Sequence, residues 1–149
     1  MSDPKAPILV VEDSPEDFEV ISVCLQRAGA RNDLMHFNDG QELFQFLQNY
    51  RSRRSVHQPA VILLDLNLPG LSGHAVLSEL RKDESLGLVP VVVLSTSSAP
   101  SDVNLAYRNG ANSYLVKPVT LNSFETLMEN FTSYWLESSV PPIPSARRN

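Results

Sequence analysis

The sequence predicts a doubly wound α/β domain built on a five-stranded parallel sheet. Three observations carry this. Five short runs rich in Val, Ile and Leu recur along the chain, the strongest of them are continuously apolar, and longer stretches of helical spacing separate them. A strand buried on both faces needs no polar face, so unbroken apolar character points to a sheet covered on both sides. Strand followed by helix, five times over, implies right-handed crossovers with helices on both faces.

The first run is Ile8-Leu9-Val10-Val11. Phe18, Ile21, Leu25 and Ala28 follow at helical spacing, and Gly29 supplies the residue that most readily ends a helix. Leu34-Met35-His36-Phe37 is a weaker second strand, followed by the stripe Leu43, Phe46, Leu47 and Tyr50. The third strand is Ala60-Val61-Ile62-Leu63-Leu64, and Ala75, Val76, Leu77 and Leu80 form a short helix after Gly73. Val91-Val92-Val93-Leu94 precedes a helix carrying Val103, Leu105, Ala106 and Tyr107 and closed near Gly110. The fifth strand, Ser113-Tyr114-Leu115-Val116, leads into the strongest stripe: Leu121, Phe124, Leu127, Met128, Phe131 and Trp135.

Composition narrows the function. The chain has 149 residues, 42% of them apolar, which suits one domain with a real core. The net charge of −5 argues against a general nucleic-acid binder, which needs a basic face. The single cysteine, Cys24, offers neither an internal disulfide nor a thiolate cluster, and it reads as a small core residue. His36, His57 and His74 lack ligand spacing, and no glycine-rich phosphate loop is present. No apolar run approaches the roughly 20 residues of a membrane span, and MSDPKAP lacks an apolar signal core. The expectation is a cytoplasmic protein without a membrane association: an extension over 1–5, a folded domain over 6–137 and a Pro-rich flexible tail over 138–149.

In sheets of this class, chemistry collects at the carboxyl ends of the strands. Glu12-Asp13 follow the first strand, Asp65 the third, Ser95-Thr96 the fourth and Lys117-Pro118 the fifth. Carboxylates crowded at one edge repel and are costly to desolvate unless a cation neutralises them. A hard divalent ion such as Mg²⁺ fits oxygen ligands and keeps positions open for phosphate oxygens. An aspartate beside it becomes a candidate nucleophile toward a phosphoryl group, with Ser95 and Lys117 to stabilise the transferred oxygens. Singly, each residue has a plainer reading, as a helix cap, a turn former or a solvated charge. Their coincidence at one edge, on four strands, favours the chemical reading.

The segments ILVVEDSPED, VILLDLNLPGLSG, VPVVVLSTSS and GANSYLVKP resemble the response-regulator receiver domains of two-component signalling. The resemblance covers residues 6–137. Pro69 and Gly73 stand four and eight residues after Asp65, and Ser95 and Lys117 are 22 apart, as in chemotaxis-type receivers. It implies the flavodoxin-like strand order 2-1-3-4-5. It further implies that Asp65 accepts a phosphoryl group from a histidine kinase, and that Asp13, Asp65 and the Asn67 carbonyl hold Mg²⁺ (or Mn²⁺), with Glu12 assisting. Ser95 and Lys117 would contact the phosphoryl oxygens, and Tyr114 matches an aromatic switch that turns inward as the hydroxyl residue is drawn to the phosphate. Asn67 and Ser97 would flank the attacking water and tune autodephosphorylation. A cis Lys117–Pro118 bond is expected.

In phrasing, the chain is most similar to small stand-alone regulators paired with bacterial phytochromes, which implies a phytochrome-type kinase. The surplus between Asp13 and Asp65 falls in the basic segment Tyr50–Pro59, read as a solvated helix end more than a partner contact. The protein is expected to be a switch and not a conventional enzyme. An external phosphatase of the aspartyl-phosphate type would want an acid two residues after its nucleophile, where Asn67 stands. A degenerate receiver that binds partners without phosphorylation would be expected to lack one of Asp13, Asp65, Ser95 or Lys117. Helix four, strand five and helix five are the expected output face. Phe124, Phe131, Tyr134 and Trp135 there carry more bulk than one buried stripe needs, which favours a homodimer, with Trp135 folding back onto its own domain as the alternative.

Overall fold

The computed structural model describes residues 6–51, 58–84 and 86–142. Five parallel strands lie in the order β2-β1-β3-β4-β5. They are β1 (Ile8–Val11), β2 (Leu34–Phe37), β3 (Val61–Leu64), β4 (Val91–Ser95) and β5 (Ser113–Val116). Between and after them run α1 (Pro15–Arg27), α2 (Gly40–Arg51), α3 (Gly73–Lys82), α4 (Pro100–Arg108) and α5 (Leu121–Phe131). β1, β3 and β4 are buried along their whole length, whereas the edge strands β2 and β5 are only partly covered. The weaker apolar character of the second run is thus the signature of an edge.

Alternation along the strands sorts the core into two layers. Leu9, Val11, Ile62, Leu64, Val91 and Val93 pack with Leu43, Leu47, Val76, Leu77, Leu80 and Ala106 from α2, α3 and α4. Ile8, Val10, Val61, Leu63, Val92 and Leu94 pack on the opposite face with Ile21, Leu25, Phe124, Met128 and Phe131 from α1 and α5. Cys24 is buried in this second layer, and burial pushes its thiol pKa up, so it serves packing. Gly29, at φ +90°, follows the C-cap of α1 as expected. Among the described residues no helix is long and apolar enough to cross a membrane.

Three expectations are corrected. In α4 only Ala106 is buried; Leu105 and Tyr107 are 43% and 48% exposed. The nine-residue helix touches β5 and α3 and turns only Ala106 fully inward, so Leu105 and Tyr107 on either side of it stay in solvent. The α5 stripe does not run as one α-helix to Trp135. From Thr132 to Ser138 the chain widens into a π-helix, closed by a Ser139 N–H bond to the Tyr134 carbonyl. The widening brings Phe131 and Leu136, five residues apart, onto the buried side together. Finally, the Lys117–Pro118 bond is trans. Trans is intrinsically favoured before Pro by about 0.5–1 kcal/mol, and the ladder continues through Lys117 without the rarer isomer. The basic segment Tyr50–Pro59 lies largely outside the described residues, as does most of the Pro-rich tail.

Candidate functional site

Each key residue is placed by one backbone bond beyond its strand. The Glu12 N–H donates to the Phe37 carbonyl, the Asp65 N–H to Val11 and the Lys117 N–H to Ser95, at 2.9, 3.0 and 2.7 Å. The sheet therefore runs on just far enough to present these side chains at its carboxyl edge. Ser14 caps α1 by accepting the Asp17 N–H, and its own N–H donates to Glu12 Oε2 at 3.2 Å. Past β3 the chain turns at Gly70, with φ +73°, and enters α3 at Gly73. A Cβ on Gly73 would sit 2.3 Å from the Asp65 carbonyl oxygen, so only glycine lets α3 start against the end of β3.

The predicted acids come together. Carboxylate oxygens of Glu12, Asp13 and Asp65 all lie within 4.8 Å of one another, with Glu12 and Asp65 buried and Asp13 exposed. Lys117 closes the cluster. Its Nζ donates to Glu12 Oε1 at 2.5 Å, to Asp17 Oδ2 at 2.9 Å and to Asp65 Oδ2 at 3.3 Å, with only 7% of its side chain exposed. Burial pushes the Glu12 pKa up to about 7, aided by the charge of Asp65 and opposed by the bond from Lys117. Burial alone would lower the Lys117 pKa, but its bonds to Glu12 and Asp17 and the charge of Asp65 more than compensate, leaving it raised. The three acids offer only carboxylate oxygens as ligands, a set that suits a hard divalent cation. Asn67 is exposed, and its backbone N–H donates to Asp65 Oδ1 at 3.2 Å.

Ser95 is fully buried at the end of β4, and its Oγ accepts the Ser97 N–H at 3.2 Å. The Ser97 hydroxyl donates to Asp102 Oδ2 at 2.6 Å, and the Ser97 carbonyl accepts the Tyr114 hydroxyl at 2.8 Å. Asp102, its pKa held down chiefly by the Ser97 bond, also faces His74 Nε2 at 3.6 Å. Tyr114 already packs against the core layer of α2, α3 and α4. Its ring is half-buried, and its hydroxyl reaches the loop after β4. Sequence reasoning missed two members of this region, Asp17 and Asp102. Both sit in the first turn of a helix, where an acid is the ordinary choice; the signal lay in a lysine and a serine elsewhere in the chain.

Comparison with known proteins identifies the family. Residues 8–129 match the family model described as response regulator receiver domain. The chain is 36% identical over 139 residues to the probable methanogenesis regulatory protein FilR2 of Methanothrix harundinacea, covering 93% of this chain and 88% of the relative. It is 36% identical over 141 residues to the response regulator Rcp1 of Synechocystis, covering 95% and 96%. Among solved structures it resembles the Mn(2+)-bound form of Rcp1, with TM-score 0.82 and 35% identity. It also resembles the phosphorylated cyanobacterial phytochrome response regulator RcpA, with TM-score 0.84 and 31% identity. Each alignment spans 93% of this chain and 99% of the other. The chain belongs to the response-regulator receiver family, signalling domains that accept a phosphoryl group from a histidine kinase on an aspartate.

Proposed function

We propose that this protein is a phosphorylation-controlled switch whose acceptor is Asp65. The observation that carries the reading is the meeting of Glu12, Asp13, Asp65 and Lys117 at one sheet edge, with Asp65 within reach of the ammonium. An Asp65 carboxylate oxygen attacks the phosphorus of a kinase phosphohistidine. The new O–P bond forms as the N–P bond breaks, and the histidine nitrogen keeps the electron pair. Lys117 and the Ser95 hydroxyl bind the transferred oxygens. Asp13, Asp65 and the Asn67 carbonyl, with Glu12 assisting, fit Mg²⁺ or Mn²⁺; when bound, the ion neutralises the acids and offsets charge on the phosphoryl group. Lys117 must then share the acids it now bonds.

The chain acts on itself and not on an external substrate, because Asn67 stands where a leaving-group acid would be needed. Asn67 and Ser97 set the lifetime of the phosphorylated form, with Ser97 acting through the loop it anchors. The likeness to RcpA, described as a phytochrome response regulator, supports a phytochrome-type kinase as partner. A homodimer through α4, β5 and α5 is the form in which the signal leaves, since Leu105, Val116, Val119 and Leu121 are exposed there.

The test is intact-mass measurement after incubation with acetyl phosphate. We expect one phosphoryl group with Mg²⁺, none with chelator, and none on Asp65→Asn, which preserves side-chain size. Full labelling of Asp65→Asn at another residue would overturn the assignment.

A further inference from the structure

The carboxylate cluster has a fourth member that the phosphorylation chemistry does not use. Asp17 lies in the first turn of α1, with its backbone N–H bound by the Ser14 cap, so the helix start sets its backbone beside the carboxyl edge of the sheet. The amino end of the helix favours a negative charge there. Asp17 is not among the acids that converge on a common cation position, which are Glu12, Asp13 and Asp65. Its oxygen nevertheless takes a shorter bond from Lys117 than Asp65 does, at 2.9 Å against 3.3 Å. The three donors of the ammonium are thus divided among three acids, with the shortest contacts to Glu12 and Asp17.

We propose that Asp17 is a positioning residue for Lys117. It holds the ammonium toward α1, and a phosphoryl group on Asp65 must compete with it for the same N–H donors. A cation that engages Glu12, Asp13 and Asp65 leaves Asp17 as the acid still available to Lys117. The competition therefore persists when the site is loaded, and it weakens the grip of Lys117 on phosphoryl oxygens. This rests on the reading of Asp65 as acceptor and Lys117 as its cationic partner.

The experiment is calorimetric titration of beryllofluoride, an unreactive phosphoryl mimic, into the full chain with saturating Mg²⁺. Wild-type binding, absent from Asp65→Asn, reports the underlying reading; its failure would overturn that reading and this inference together. Given wild-type binding, Asp17→Asn should tighten the mimic about two- to five-fold, the range expected for loss of one partly exposed competing ion pair. Asp17→Glu, which keeps a carboxylate, should return affinity toward wild type. Glu16→Gln removes the same charge one residue away, where the side chain meets Ser14 and not Lys117, and should leave affinity unchanged. In a Lys117→Met background Asp17→Asn should have no effect. Equal tightening in both backgrounds, equal tightening by Glu16→Gln, or no tightening at all would overturn the role of Asp17.

Discussion

At the proposed metal site, Glu12 is the residue on which proton and metal would compete. Its raised pKa, caused first by burial, means that the folded chain keeps a proton the unfolded chain has released. Without metal, its contribution to stability is full below its ordinary value of 4.5 and is lost as pH rises toward about 7. A bound divalent cation reverses the preference by favouring the carboxylate. Mn²⁺ affinity should therefore fall as pH drops from 8 to 6, with proton uptake at Glu12, and Glu12→Gln should flatten that profile in calorimetric titrations. Asp13→Asn should weaken the ion more than Glu12→Gln, because Glu12 already spends its oxygens on Lys117 and the Ser14 N–H. Ser97 makes a different prediction. Ser97→Ala breaks the bond to Asp102 but not the carbonyl bond to Tyr114, so it should alter the decay rate of the phosphorylated form without preventing its formation. Asn67→Ala should do likewise, read in both cases as loss of phosphoprotein mass with time.

At the scale of elements, the segments that lead into β4 and β5, at the edge opposite the site, are held by one side chain of α3. Arg81, near the end of α3, donates to the carbonyls of Gly87, Val89 and Gly110 and to Asn112 Oδ1. One planar guanidinium thus ties the approach to β4 and the approach to β5, the two strands bearing Ser95 and Tyr114. Arg81→Met should cost about 2–4 kcal/mol in urea unfolding, because several part-buried acceptors lose their partner at once. Arg81→Lys should recover little, since a compact ammonium does not span the same acceptors. The C-terminal helix shows what periodicity leaves open. Phe124 and Phe131 are core residues and Trp135 packs against the same layer, so of the four aromatics only Tyr134, 56% exposed, is a surface group. The bulk read from the sequence as spare contact area is mostly consumed by the domain itself, through a π-helical turn that no three-and-four spacing announces.

For the whole molecule, the dimer face proposed on α4, β5 and α5 rests on other residues than the sequence singled out. Leu105 on α4, Val116 on β5, Val119 in the turn after β5 and Leu121 at the start of α5 carry the exposed apolar surface, in place of the buried aromatics. Sedimentation should show acetyl phosphate with Mg²⁺ shifting wild type toward a dimer, and Leu121→Glu remaining monomeric while still accepting one phosphoryl group. Trp135→Ala should lower unfolding stability without selectively blocking assembly. A monomer in every sample would remove the dimer, and assembly indifferent to Asp65→Asn would remove phosphorylation as its control.

The sequence by itself determined the five strands, the helices between them and the residues at the strand ends. An apolar run and the polar residue that ends it are local facts, and a parallel sheet converts them directly into a shared edge. Glu12, Asp13, Asp65, Ser95 and Lys117 were legible for that reason. Tertiary structure alone decided how those charges are shared. That Lys117 divides itself among Glu12, Asp17 and Asp65, or that Asp102 receives the Ser97 hydroxyl, depends on where helix starts land relative to strand ends. A first-turn acid looks the same in sequence whether it caps its own helix or answers a cation a hundred residues away, because the difference is one of distance in space.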